Sequence, residues 1–165
     1  MPNMPPYRLQ ALLEIRERAK DEAERYLGEC TQILKEEQER LKSMERELER
    51  MIAKREAKKR EYAEKAMRGE MDARSAVSAN IYIDRLKEQE ELQKSAIDGQ
   101  IQVVRQKQHD VDAARDDLIK ASQELKALEK HREKWSDQIK KERMAKEEAE
   151  LDELGQTIHL SREKK

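Results

Sequence analysis

The chain has 165 residues, 36 of them Lys or Arg and 37 Asp or Glu, for a formal net charge of −1. Charged residues make up 44% of it, aromatics 3%, and Phe is absent, so a thick, multilayer core is excluded and the choice lies between disorder and long helices that bury a narrow stripe. The opposite charges are interleaved, which argues against a nucleic-acid binder, since such proteins gather a basic face.

The N-terminal MPNMPPYRLQ has no apolar h-region and is not a secretory signal. No apolar run approaches a membrane span, so direct membrane insertion is not expected. A single cysteine, Cys30, excludes an intramolecular disulfide framework and suits a reducing compartment. The expected location is the cytoplasm.

Pro6 is suited to a first helical turn, where its missing N–H costs nothing. From there good helix formers continue, which predicts a first helix over about 6–68. One seam of this half reads Leu13, Lys20, Leu27, Leu34, Leu41 and Leu48 at seven-residue intervals. Its companion reads Leu9, Arg16, Ala23, Cys30, Glu37, Met44 and Met51. Leu12, Ala19, Tyr26 and Ile33 widen the stripe. This is the a/d pattern of a coiled coil, with polar interruptions at Arg16, Lys20 and Glu37.

The stretch from Lys54 to Asn80 has no clean seam. It begins with a basic excess, Lys54, Arg55, Lys58, Lys59, Arg60, Lys65 and Arg68, whose plain reading is a solvated helix surface. Gly69 can end a helix, and Asp72 or Ser75 can cap the next. The reversal is therefore expected at about 69–75, with a second helix over about 76–154.

The second half carries its own seams. One runs Ile83, Glu90, Ile97, Val104, Val111, Leu118, Leu125, Arg132 and Ile139. The other runs Leu86, Gln93, Gln100, Lys107, Ala114, Ala121, Leu128 and Trp135. Two seams, one break and near-equal arms predict an all-α, two-helix antiparallel coiled coil, an αα-hairpin forming one domain. Gly155 reads as a C-terminal stop, leaving 155–165 as a tail with little reason to be ordered.

Catalytic chemistry is not legible. There is no glycine-rich phosphate loop. His109, His131 and His159 are scattered, without ligand spacing for a metal. Cys30 sits on a seam with no adjacent base. No catalytic, cofactor-binding or metal residues are expected, and the chain does not read as an enzyme. Trp135 reads either as a core anchor or as a partner contact. Leu9, Leu12 and Leu13 exceed what one narrow seam can bury, so part of that cluster suits a partner. Tyr62, Met67, Met71 and Tyr82 raise the same question near the turn.

The opening Tyr7-Arg-Leu-Gln-Ala-Leu-Leu-Glu-Ile-Arg16 resembles the start of the type III secretion stalk proteins, the FliJ/YscO (SctO) family. The closing Lys130-His-Arg-Glu-Lys-Trp135, then Glu150-Leu-Asp-Glu-Leu-Gly-Gln-Thr-Ile-His159, is similar to the virulence-type members more than to the flagellar ones. The mid-chain glycine, followed by Tyr82-Ile83 and Leu86, fits the family's turn. The resemblance implies a central stalk whose terminal end enters the pore of a hexameric secretion ATPase, stimulates it, and couples it to the cytoplasmic ring of the export gate. It implies a position peripheral to the inner-membrane export apparatus, and export chaperones as further partners. Carried onto this chain, it implies that Leu9, Leu12, Leu13, Arg16, Trp135, Asp152, Glu153 and Leu154 face the ATPase. Tyr62, Met67, Gly69, Met71 and Tyr82 would face the gate. A generic coiled-coil scaffold and an export chaperone are the alternative readings.

Overall fold

A computed structural model describes residues 4–164. It contains two helices, α1 (Gln10–Met67) and α2 (Ala73–Glu163), packed as an antiparallel hairpin. The chain divides into two compact units. One comprises the residues up to Glu24 and from Asp116 onward, and the other runs from Arg25 to Arg115.

α1 starts later than Pro6 predicts. The Gln10 N–H bonds the Tyr7 carbonyl at 3.1 Å, and Leu13 N–H bonds the Leu9 carbonyl at 2.9 Å. Tyr7 lies ahead of the helix and is itself buried, so its side chain fixes where the chain enters α1.

The reversal is tighter than expected, and its chemistry is local. Gly69 takes φ of 72°, the left-handed region where a side chain would clash with the following carbonyl. Gly69 N–H bonds Ala66 O at 3.2 Å, and Glu70 N–H bonds Lys65 O at 3.0 Å. These are the two bonds of a Schellman stop, which satisfies carbonyls the helix end would leave bare. Asp72 then caps α2, its carboxylate accepting from the Ser75 N–H at 2.7 Å. That bond holds the Asp72 carboxyl below its usual range. With Asp72 as the cap, α2 begins at Ala73 rather than about 76.

The C-terminal stop is a correction. α2 continues through Gly155 to Glu163. Gly155 does not adopt positive φ, so it makes no left-handed cap. An interior glycine costs a helix only about 1 kcal/mol, too little to end one whose next residues continue it. Thr157 Oγ1 bonds back to Glu153 O at 2.9 Å, and His159 lies 3.3 Å from Glu163 one turn on.

Both sequence-derived seams are withdrawn from solvent along nearly all their length. In the Arg25–Arg115 unit, Cys30, Leu34, Val111 and Ala114 form a buried cluster, with Leu27 and Val104 packed against it. In the other unit Leu13 is 1% exposed and Leu125 is buried. Burying a leucine that fully contributes about 1.5–3 kcal/mol. Tyr26 and Ile33 do not widen the seam; both are exposed, as is Arg132. Two helices give only one contact line, so residues one step off it face water.

Lys20 pairs with Glu24 on its own helix, but Arg16, Glu37, Glu90, Gln93 and Gln100 find partners across the seam. Arg16 meets Glu124 at 2.7 Å. Gln100 donates to the Glu37 carboxylate at 2.6 Å and to its carbonyl at 3.1 Å, and Gln93 donates to Met44 O at 3.0 Å. Arg55 meets Glu90 at 2.6 Å. Arg55 is therefore a cross-helix partner rather than part of a solvated basic surface. Its guanidinium is pushed up from its ordinary pKa, chiefly by the hydrogen bond it donates to Glu90.

Candidate partner-binding surfaces

The terminal unit carries the residues expected to face an ATPase. An aromatic cluster organises its start. The Tyr7 ring packs tilted against Trp135, with centroids 5.1 Å apart, and against His131 at 5.8 Å. Tyr7 Oη also forms a short hydrogen bond with His131 Nδ1. Such ring pairs contribute about 0.5–1.5 kcal/mol beyond area burial. Trp135 thus serves as a core anchor and remains half-exposed. Of the leucine cluster, Leu13 is core, while Leu9 and Leu12 are half-buried at its margin. Arg16 is committed to Glu124.

Asp152, Glu153 and Leu154 are not brought into this cluster. They belong to the last turns of α2, where every residue from Met144 to Lys164 is exposed. Met144, Leu151, Leu154 and Ile158 recur there at intervals of seven, three and four, an apolar stripe off the hairpin seam, whose own positions run on through Lys146, Glu153 and Leu160. No described residue covers it. The spacing is present in the sequence, and Ile158 joins it only because α2 runs on past Gly155.

The other unit carries the turn-proximal residues. Tyr62 and Tyr82 meet edge to face, with centroids 6.5 Å apart. Both are half-buried, and Tyr62 lines a shallow pocket with Met71, Ala66 and Ala79. Gly69 shapes the turn. Met67 is 88% exposed, an apolar side chain that stands free of this cluster. Beside it, Lys58 bonds Glu61 at 3.2 Å, which raises the Lys58 ammonium pKa and lowers that of the Glu61 carboxyl.

Among the described residues, no three His, Cys, Asp or Glu side chains gather as a metal-ligand set. Among the same residues no helix is long and apolar enough to cross a membrane. The chemistry on offer is docking through exposed apolar rows and carboxylates.

A family model described as YscO-like matches residues 4–165. The chain belongs to the YscO-like family. A solved structure of a candidate YscO homologue, CT670 from Chlamydia trachomatis, superposes with a TM-score of 0.84 at 26% identity, covering 98% of this chain and 99% of that one. No curated protein matches the chain. Membership in the YscO-like family marks this as a type III secretion protein with a stalk-like hairpin fold.

Proposed function

We propose that this YscO-like protein is the central stalk of a virulence-type type III secretion system, working at the cytoplasmic side of the inner membrane. Its terminal end inserts into the hexameric secretion ATPase and stimulates hydrolysis. The turn-proximal end, with Tyr62, Met67, Gly69, Met71 and Tyr82, contacts the export gate. The observation that carries this reading is the uncovered apolar stripe of Met144, Leu151, Leu154 and Ile158. An exposed apolar row at helical spacing offers a docking face to another protein. Leu9, Leu12 and the free part of Trp135 add apolar surface in the same unit.

The test is a titration of the purified chain into its cognate ATPase hexamer, following ATP hydrolysis. Full-length protein should raise the rate. A chain ending at Arg143 should lose that effect while the remaining helix content persists by circular dichroism. If the full-length chain neither binds nor stimulates the hexamer, the stalk reading is wrong.

A further inference from the structure

The last turns of α2 carry a second feature beside the apolar stripe. Between Lys146 and Arg162 there is no Lys or Arg, while Glu147, Glu148, Glu150, Asp152 and Glu153 crowd into seven residues. None of these five carboxylates has an ion-pair partner among the described residues, and all are exposed. At 100° per residue, Glu148 and Asp152 fall on one edge of the Leu151–Leu154–Ile158 stripe and Glu150 on the other, with Glu147 in line with it. The edges of a helical seam are where charge selects the partner. Here both edges carry the same sign. Spacings of three and four also set Glu147 against Glu150, Glu150 against Glu153, and Glu148 against Asp152, so the free helix repels itself.

This arrangement decides between occupants. A second copy in parallel alignment would bring acid against acid along both edges. An anionic lipid surface or a nucleic acid is repelled for the same reason. We infer that the α2 segment from Met144 to Ile158 docks into an apolar groove on a partner protein whose rim is lined by Lys and Arg. The stripe supplies the buried contact and the unneutralised carboxylates supply steering and selectivity. This rests on the proposed stalk reading, in which that groove belongs to the ATPase, and it adds the chemistry of the groove and a salt dependence of docking.

Two variants separate the contributions. E148Q/E150Q/D152N/E153Q removes charge and leaves the stripe. L151S/L154S/I158S removes the stripe and leaves the charge. Both change only exposed positions, and circular dichroism checks their folding. Binding to the cognate hexamer is measured at about 50 mM and about 500 mM salt, where screening lengths differ several-fold. The charge variant should bind about tenfold more weakly at low salt and within about threefold of wild type at high salt. The stripe variant should be weak at both. A charge variant that binds like wild type, with the same salt slope, overturns the inference while leaving the stalk reading standing.

A second arm holds if the hexamer does not bind at all, in which case the stalk reading alone has failed. The full chain is then titrated with two synthetic amphipathic helices of equal leucine content, one flanked by Lys and one by Glu. Binding of the Lys helix only, lost in a chain ending at Arg143, supports the inference. Equal binding of both helices, binding unaffected by that truncation, or self-association through the segment in sedimentation overturns it.

Discussion

Arg55 of α1 and Glu90 of α2 hold one another across the seam, the Arg55 Nε–H lying 2.6 and 3.1 Å from the two Glu90 carboxylate oxygens. Glu90 is 4% exposed, so its charge is withdrawn from water on the strength of one cation. A pair of this kind is costly to break from one side and cheap to replace from both. Arg55→Met or Glu90→Leu alone should lower the thermal midpoint. The double substitution should recover most of the loss or exceed wild type. Thermal melts of the four proteins as a double-mutant cycle measure this, and additive losses would contradict it.

Acid should weaken the start of α2 through Asp72. Its carboxyl titrates below its unfolded value because it accepts the Ser75 N–H. The cap's contribution is full above the unfolded pKa of about 3.9 and is lost as pH falls through the depressed folded value. Melting curves from about pH 5 to about pH 2 should show wild type losing stability faster than Asp72→Asn, which keeps a capping oxygen but no charge. Parallel curves would assign the acid sensitivity to other groups.

A buried and an exposed leucine, Leu13 and Leu154, should separate stability from function. Leu13→Ala empties a site that is 1% exposed and should cost about 2–4 kcal/mol in urea unfolding. Leu154→Asp, at a site 57% exposed, should leave that unfolding unchanged and reduce stimulation of the ATPase. An equal loss of both properties in the Leu154 variant would make it a core residue after all.

Gly69 and Gly155 should respond to alanine with opposite signs. At Gly155 an added Cβ meets nothing within 4 Å and φ is helical, so the variant should gain up to about 1 kcal/mol of local helix stability. At Gly69 the space is equally open, but φ of 72° should cost Ala about 1–2 kcal/mol. Amide exchange along residues 150–160 and global unfolding, respectively, report the two effects.

Much of the hairpin was written in the seven-residue spacing of leucines and in the pairing of Gly69 with Asp72. Those signals are local and survive without knowing the partner helix. The polar layers were visible as interruptions but not as pairs, because Arg16 and Glu124 are matched only by the register between helices. Arg55 was lost in its basic neighbours for the same reason. Gly155 misled because glycine ends a helix only when φ turns positive, and composition does not report φ. Tyr7 is legible as part of a motif, yet its burial depends on His131 and Trp135, far along the chain. The site residues divided accordingly: Leu13 and Arg16 serve the hairpin itself, and Leu154 stands open.

The cross-helix contacts form a ladder in sequence separation. Arg55 and Glu90 are 35 residues apart, Met44 and Gln93 49, Glu37 and Gln100 63, Arg16 and Glu124 108, and Tyr7 and His131 124. The Schellman stop and the Asp72 cap close the shortest loop of all. Each rung therefore shortens the effective loop that the next must close. Folding should zip from Gly69 outward, and the Tyr7–His131–Trp135 cluster should be the last rung to form and the first to open.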